Sequence, residues 1–390
     1  MKVIVRTLLK QLEADLFTGK ALIIMGPRQS GKTTLVRELM AKHQDKRCLY
    51  LDADDILIRK QLTNPSTAQL RNIISDHDIV VIDEAQRVEN IGLTLKIIVD
   101  QIKSTQVIAT GSSSFDLANL INEPLTGRKY EYTLFPLSHA EMVQHTSYIE
   151  ERQMLEQRVI YGFYPEVVCQ AANPERALRE IANSYLFKDI FTLEKINRPT
   201  ILENLVKALA LQVSREVSYN ELAQLVGVDK NTVAKYLDLL EKAWIVFKLP
   251  ALHRNVRNEI KRGKKYYFWD NGILNTILGN FNILNMRTDT GALWENFIVS
   301  ERLKAIRNAQ IYRSYYFWRT TMQQEIDLIE ESGAKFSAYE IKFNPRKKPQ
   351  ISKTFSSAYP VQSYNLVSPE NYHEFLINPD LDSDPAAVPG

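Results

Sequence analysis

The sequence predicts an α/β chain: a parallel-sheet domain first, then a helical and helix-turn-helix region, then a further α/β domain. Three observations predict this. Between residues 21 and 135, short apolar runs alternate with helical patterns. Residues 214–270 have the pattern of a compact helix-turn-helix followed by strands, and residues 291–368 return to a helix followed by strands. The 390 residues suit two or three domains at roughly 150 residues each.

The amino-terminal segment MKVIVRTLLKQLEADL places Leu8, Leu9, Leu12 and Leu16 at helical spacing, with Arg6, Lys10, Glu13 and Asp15 between them, so an amphipathic entry helix is expected. The runs ALIIM (21–25), CLYLD (48–52), DIVVID (78–83), QVIAT (106–110) and YEYTL (130–134) read as strands covered on both faces. Ser138 with Glu141 forms a capping-box pattern that opens a new helix. Residues 139–211 are mostly helical in pattern, broken at Gly162, Pro165, Pro174 and Pro199. The expected divisions are 1–138, 139–250 and 251–372, with a disordered Pro- and Asp-rich tail at 373–390.

Composition narrows the function classes. Hydrophobic residues make up 45% and charged residues 24%, which is ordinary for globular chains. With 49 Lys+Arg against 46 Asp+Glu, the net charge is only +3, so any basic surface is local. The 2 Cys and 6 scattered His exclude a disulfide framework and a Cys-rich zinc site, and suit a reducing, cytoplasmic setting. No stretch approaches the roughly 20 apolar residues of a membrane span, so no membrane partner is expected.

Gly26-Pro27-Arg28-Gln29-Ser30-Gly31-Lys32-Thr33, followed by Thr34, satisfies G-x-x-x-x-G-K-[ST] between a strand and a helix. Glycines let backbone N–H groups curl around phosphate oxygens at a helix N-terminus. Lys32 is expected to reach the β- and γ-phosphates of ATP, and the Thr33 hydroxyl to bind Mg²⁺. Asp83 and Glu84 end an apolar strand at the right distance: Asp83 suits Mg²⁺, and Glu84 suits a general base on the attacking water. Ser112, Ser113 and Ser114 after the next strand either read the γ-phosphate or cap a helix starting at Phe115. Arg128 either stabilises the transferring phosphoryl group, from this chain or a neighbouring copy, or is solvated; Arg28 either contacts phosphate or forms a salt bridge.

In their order, GPRQSGKTTL, VVIDEAQ, ATGSSSFDL, LTGRKYEYTLFPLS and YGFYPEVV resemble an uncharacterised prokaryotic AAA-type ATPase family. In that family a P-loop ATPase is fused to a C-terminal domain similar to PD-(D/E)XK restriction-type nucleases. The resemblance covers roughly residues 5–370. It implies that Lys32, Thr33, Asp83 and Glu84 carry nucleotide chemistry, with sensor and arginine-finger roles for Ser112–Ser113 and Arg128.

Ala223, Gly227 and Val233 fall at the offsets of a helix-turn-helix, Asp229 suits the N-cap of a second helix over 230–243, and Ile245-Val246-Phe247 begins a wing-like strand. Lys230, Asn231, Thr232, Lys235 and Tyr236 either meet a DNA major groove or belong to a brace for the nucleotide domain. His253 to Lys265, with Arg254, Arg257, Lys261, Arg262, Lys264 and Lys265, is either a phosphate-tracking patch or a solvated hairpin. The stripes 266–269 and 315–318 are either base-stacking platforms or, the reading preferred, strand core, and Asp270 is read as a helix cap first and a metal ligand second.

At the carboxyl end, Glu295 lies on a helical segment, Glu325 and Asp327 on one strand, and Glu340 and Lys342 on the next, with a turn expected at Glu330-Glu331-Ser332-Gly333. Glu295, Asp327 and Glu340 could hold a second Mg²⁺ or Mn²⁺, with Lys342 orienting the metal-bound water. Arg346, Lys347, Lys348 and Lys353 beyond suit either nucleic acid or solvent. Two functional readings follow. One is an ATPase whose nucleotide state repositions a winged helix and a nuclease-like domain on DNA. The other is an ATP-dependent switch, a homo-oligomer or a scaffold for a partner protein, that does not cut.

Overall fold

The computed structural model describes residues 3–112, 121, 123–169, 172–183, 199–253, 263–320, 322–345 and 350–380. The expectations placed on Ser113, Ser114, Phe115, Arg254, Arg257, Lys261, Arg262 and 346–348, and on the tail beyond 380, lie outside them. The chain forms two compact units: Met1–Leu137 with Lys242–Trp244, and Ser138–Glu241 with Ile245–Gly390.

The first unit is an α/β domain built on a parallel five-stranded sheet. Its strands are β1 (Ala21–Met25), β2 (Cys48–Asp52), β3 (Ile79–Asp83), β4 (Gln106–Gly111) and β5 (Lys129–Thr133), within one residue of the apolar runs that predict them. They pair in parallel in the order β2-β3-β4-β1-β5. Helices α1 (Leu8–Asp15), α2 (Lys32–Lys42), α3 (Ile56–Leu62), α4 (Thr67–Ile74) and α5 (Ile91–Gln101) cover the sheet. Alternate residues of each strand enter different cores. Ile23, Val80, Ile82, Val107 and Ala109 pack with Leu62, Leu70, Leu95 and Ile98 from α3, α4 and α5. Leu22, Ile24, Ile79, Val81 and Ile108 pack with Leu8, Leu9 and Leu12 of α1 and Leu35, Val36 and Leu39 of α2. Burial on both faces explains why these strands read as continuous apolar runs.

The second unit is α/β with a mixed sheet. The expected capping box is formed: Ser138 and Glu141 exchange bonds at the start of the helix His139–His145. A helix Tyr219–Val226 ends at Gly227 in the left-handed region (φ 72°), and Asp229 accepts the amides of Asn231 and Thr232 ahead of the helix Lys230–Lys242. Strands β6 (Glu216–Val217), β7 (Val246–Pro250) and β8 (Lys264–Phe268) form an antiparallel sheet ordered β6-β8-β7. A second sheet runs β12-β11-β10-β9, with β9 (Ser314–Arg319), β10 (Glu325–Ser332), β11 (Lys335–Ile341) and β12 (Val361–Val367). Its β9-β10 and β10-β11 pairs are antiparallel and its β11-β12 pair is parallel. The helix Thr290–Asn308 is buried almost throughout; Asn296 exchanges bonds with the backbone of Phe268, and Arg302 holds Glu330.

Three expectations are corrected. The turn joining β10 and β11 sits at Gly333-Ala334, both with positive φ, and not at Glu330; Glu330 is buried inside β10 because Arg302 and Arg313 neutralise it. The tail does not lose order at 373: the helix Tyr372–Ile377 buries Phe375 and Leu376, which outweighs the polar composition around it. Lys265 is not part of a solvated patch; it lies in β8 and is 1% exposed. Tyr266, Tyr267, Phe268 and Trp269 are core, and Asp270 caps the helix Asn271–Leu278 while accepting the Phe163 amide.

Candidate functional site

The order β3-β4-β1 brings three loop ends together at the carboxyl edge of the sheet, the edge where ligands bind in open α/β sheets. The loop between β1 and α2 contains three left-handed or near-left-handed residues: Gly26 (φ 154°), Gln29 (φ 58°) and Gly31 (φ 96°). Gly26 is required sterically, since a Cβ there would lie 2.1 Å from the Leu134 carbonyl oxygen. Lys32 is buried, and its ammonium donates to the carbonyls of Gly26 (2.9 Å) and Pro27 (2.8 Å), so it is folded back against the loop that it is expected to serve. Pro27 and Ser30 are buried within that loop, Arg28 and Thr33 are half-buried, and Thr34 is exposed at the start of α2.

Thr33 donates through Oγ1 to Asp83 Oδ2 at 2.7 Å, which joins the two halves expected to hold Mg²⁺. Asp83 also accepts from the Tyr50 hydroxyl (2.5 Å), the Thr110 hydroxyl and the Glu84 amide (3.1 Å). Burial pushes the Asp83 carboxyl up, but the hydroxyls of Thr110, Tyr50 and Thr33 and the Glu84 amide outweigh it and hold the carboxyl below its usual range. An ionised carboxylate beside a threonine hydroxyl is the donor set a hard divalent cation takes. Thr33 and Asp83 therefore fit Mg²⁺, which when bound neutralises charge on the phosphates.

Glu84 is in the left-handed region (φ 51°), where the chain leaves β3. Its carboxylate accepts from Gln86 Nε2 at 2.6 Å, and the same amide donates to Ser112 Oγ at 3.1 Å, so Ser112 joins the site through Gln86. Arg128 is not brought to it. The Arg128 carbonyl accepts the Ala21 amide, at the amino end of β1, and its guanidinium bonds Asp100 at 2.7 Å. Because β5 runs parallel to β1, the residue preceding β5 lies a whole strand length from the phosphate loop. The reading of Arg128 as a catalytic group within its own chain is thereby corrected.

Arg6, Tyr50, Gln86 and Thr110 escaped the sequence reading. Arg6 is buried and donates to the carbonyls of Ser30 (2.7 Å) and Phe135 (2.6 Å), tying the phosphate loop to the segment after β5. An arginine within the mostly apolar run Val3–Leu9 is the available signal. Gln86 was signalled by its place two residues after Glu84. Tyr50 and Thr110 carried none, since strand residues only meet Asp83 through sheet order.

In the second unit, Glu295, Asp327, Glu340 and Lys342 do converge. Lys342 Nζ lies 2.9 Å from Asp327 Oδ2 and 3.4 Å from Glu340 Oε1, and Asp327 also accepts the Ile341 amide at 2.8 Å. Burial, and then the charge of Asp327, raise the Glu295 carboxyl to about 7. Lys265, which the sequence reading assigns to the basic patch, belongs to this cluster: its ammonium bonds Glu295 (3.1 Å) and Glu325 (2.7 Å).

Comparison with known proteins matches three stretches of the chain. Residues 18–143 match an AAA domain, and residues 152–283 and 290–380 match two domains of unknown function (DUF8612 and DUF4143). An uncharacterised protein of Mycobacterium tuberculosis is 29% identical over 352 residues, covering 89% of this chain and 75% of that one. An uncharacterised protein of Methanocaldococcus jannaschii is 22% identical, covering 82% and 74%. Among solved structures, the Walker-type ATPase of Pyrococcus abyssi aligns with a TM-score of 0.49 at 15% identity, covering 71% of this chain and 96% of that one. No helix among the described residues is long and apolar enough to cross a membrane. Residues 18–143, which carry the phosphate loop and its Asp83–Thr33 pair, thus match an AAA domain, in a chain similar to uncharacterised bacterial and archaeal proteins.

Proposed function

We propose that the protein binds and hydrolyses ATP with Mg²⁺, and that its nucleotide state controls a winged-helix and nuclease-like second unit that acts on DNA. The convergence on Asp83 carries the ATPase half: one ionised carboxylate sits beside Thr33 under a glycine-bounded loop, with Glu84 adjacent. Lys32 exchanges two loop carbonyls for the β- and γ-phosphates. Thr33 and Asp83 position the metal, and Glu84 takes the proton of the attacking water, released from or steered by Gln86. Lys32→Ala is expected to abolish ATP binding, and Glu84→Gln to bind ATP and hydrolyse it about a hundredfold more slowly. Equal turnover by Glu84→Gln would show that another group is the base.

Support for DNA comes from the second unit. Lys230, Asn231 and Lys235 are exposed on one helix, opened by the Asp229 cap and preceded by the Gly227 turn, and Thr232 and Tyr236 are half-buried beside them. Such a helix suits a groove. Salt-sensitive binding of duplex DNA tests this, because phosphate contacts release counterions. Binding that does not change with salt would remove the DNA half. A second reading, an ATP-dependent switch or scaffold for a partner protein whose nuclease-like cluster does not cut, is favoured by one observation: Lys265 and Lys342 already pair the carboxylates of that cluster.

A further inference from the structure

The carboxylate cluster of the second unit carries its own cations. Lys265 is 1% exposed, bonds Glu295 and Glu325, and lies 5.4 Å from the centre of the Phe317 ring. Tyr267 adds a hydroxyl to the same Glu295 oxygen at 2.7 Å. Lys342 pairs Asp327 and Glu340 on the other side. Each of the four carboxylates therefore has an ammonium within 3.4 Å. A divalent ion held by Glu295, Asp327 and Glu340 needs their oxygens at about 2.0–2.1 Å for Mg²⁺, with lone pairs turned to one point. Here one oxygen of each, Glu295 Oε1, Asp327 Oδ2 and Glu340 Oε1, turns to two separate ammoniums and to the Ile341 amide, while Glu340 Oε2 is buried without a hydrogen bond. Among the described residues, no group of three His, Cys, Asp or Glu side chains is arranged to hold a metal. A buried ammonium cannot leave without stranding two carboxylates, which is costly in a dry interior. The residues therefore do not fit the metal that a nuclease-like fold implies.

We propose that Lys265, together with Lys342, takes the place of a divalent ion, making the cluster a metal-free charge clamp that joins β8 to the helix Thr290–Asn308 and to β10, so that this unit does not cleave phosphodiesters. The proposal rests on the nuclease-like reading of the cluster and is independent of the ATPase site. The test is Mn²⁺ titration of the full-length protein without nucleotide, followed by electron paramagnetic resonance, for wild type, Asp327→Asn, Lys265→Met and Lys265→Arg. Wild type and Asp327→Asn are expected to take up Mn²⁺ equally. Lys265→Met gains saturable uptake, about tenfold tighter or more, which Asp327→Asn added to it removes; Lys265→Arg gains none. Wild-type uptake that Asp327→Asn removes would overturn the clamp and leave the nuclease-like reading standing. A folded Lys265→Met with no gain would also overturn it. If Lys265→Met does not fold, the wild-type and Asp327→Asn pair decides: equal uptake supports the clamp and a difference sinks it. ATP turnover measured alongside separates the two claims, since its absence in wild type counts against the ATPase reading alone.

Discussion

Replacing Arg6 with methionine tests whether the phosphate loop is held from outside its own motif. Arg6 lies two residues before α1, yet its buried guanidinium donates to the carbonyls of Ser30 and Phe135. A hydrogen bond to a charged group contributes about 1.5–3 kcal/mol, so the two together amount to about 3–6 kcal/mol. Methionine keeps much of the buried volume but leaves both carbonyls without this donor. Since whole domains are stable by only about 5–15 kcal/mol, the loss should be visible in calorimetric melting of the first unit. It should also weaken ATP binding, because the Ser30 carbonyl belongs to the loop itself. Arg6→Lys should recover only part, since a single ammonium does not reproduce the two-pronged fork. Melting and ATP affinity of Arg6→Met both within about 0.5 kcal/mol of wild type would refute this account of the loop.

The other expectations concern groups with different partners. Gln86→Ala should leave ATP affinity unchanged and lower turnover about 10- to 100-fold in steady-state assays, because it unties Glu84 from Ser112. Gly162→Ala should destabilise the second unit by about 2–4 kcal/mol, because its Cβ would lie 2.2 Å from the Asp270 carboxylate that caps a helix and φ is +69°. Gly227→Ala, with a similar φ of +72° and open space around it, should cost only about 1–2 kcal/mol in the same denaturation assay. Glu295 keeps its proton to about 7 in the folded state and releases it near 4.5 when unfolded, so between those pH values the native state binds more protons and stability falls as pH rises. Glu295→Gln should flatten melting temperature against pH across that window, removing at most about 3 kcal/mol of the dependence.

The first unit is readable in the sequence because its central strands β1, β3 and β4 are buried on both faces, which runs such as ALIIM reflect. The phosphate loop was readable because its glycines answer local demands: Gly26 must pass the Leu134 carbonyl, and Gly31 must turn left-handed into α2. What escaped depends on sheet order. Tyr50 meets Asp83 only because β2 lies beside β3, and Arg128 misses the site only because β5 lies parallel beside β1. Lys265 shows the same limit in charge. In sequence it closes a run of basic residues, and in the fold it is the counter-ion of Glu295 and Glu325.

The central claim is that the loop Gly26–Thr33 holds magnesium-bound ATP. Isothermal titration of the full-length protein with ATP and Mg²⁺ tests it most directly, with Lys32→Ala in parallel. Saturable binding by wild type that Lys32→Ala loses is the predicted result. No saturable heat from wild type, or equal binding by the variant, would contradict it.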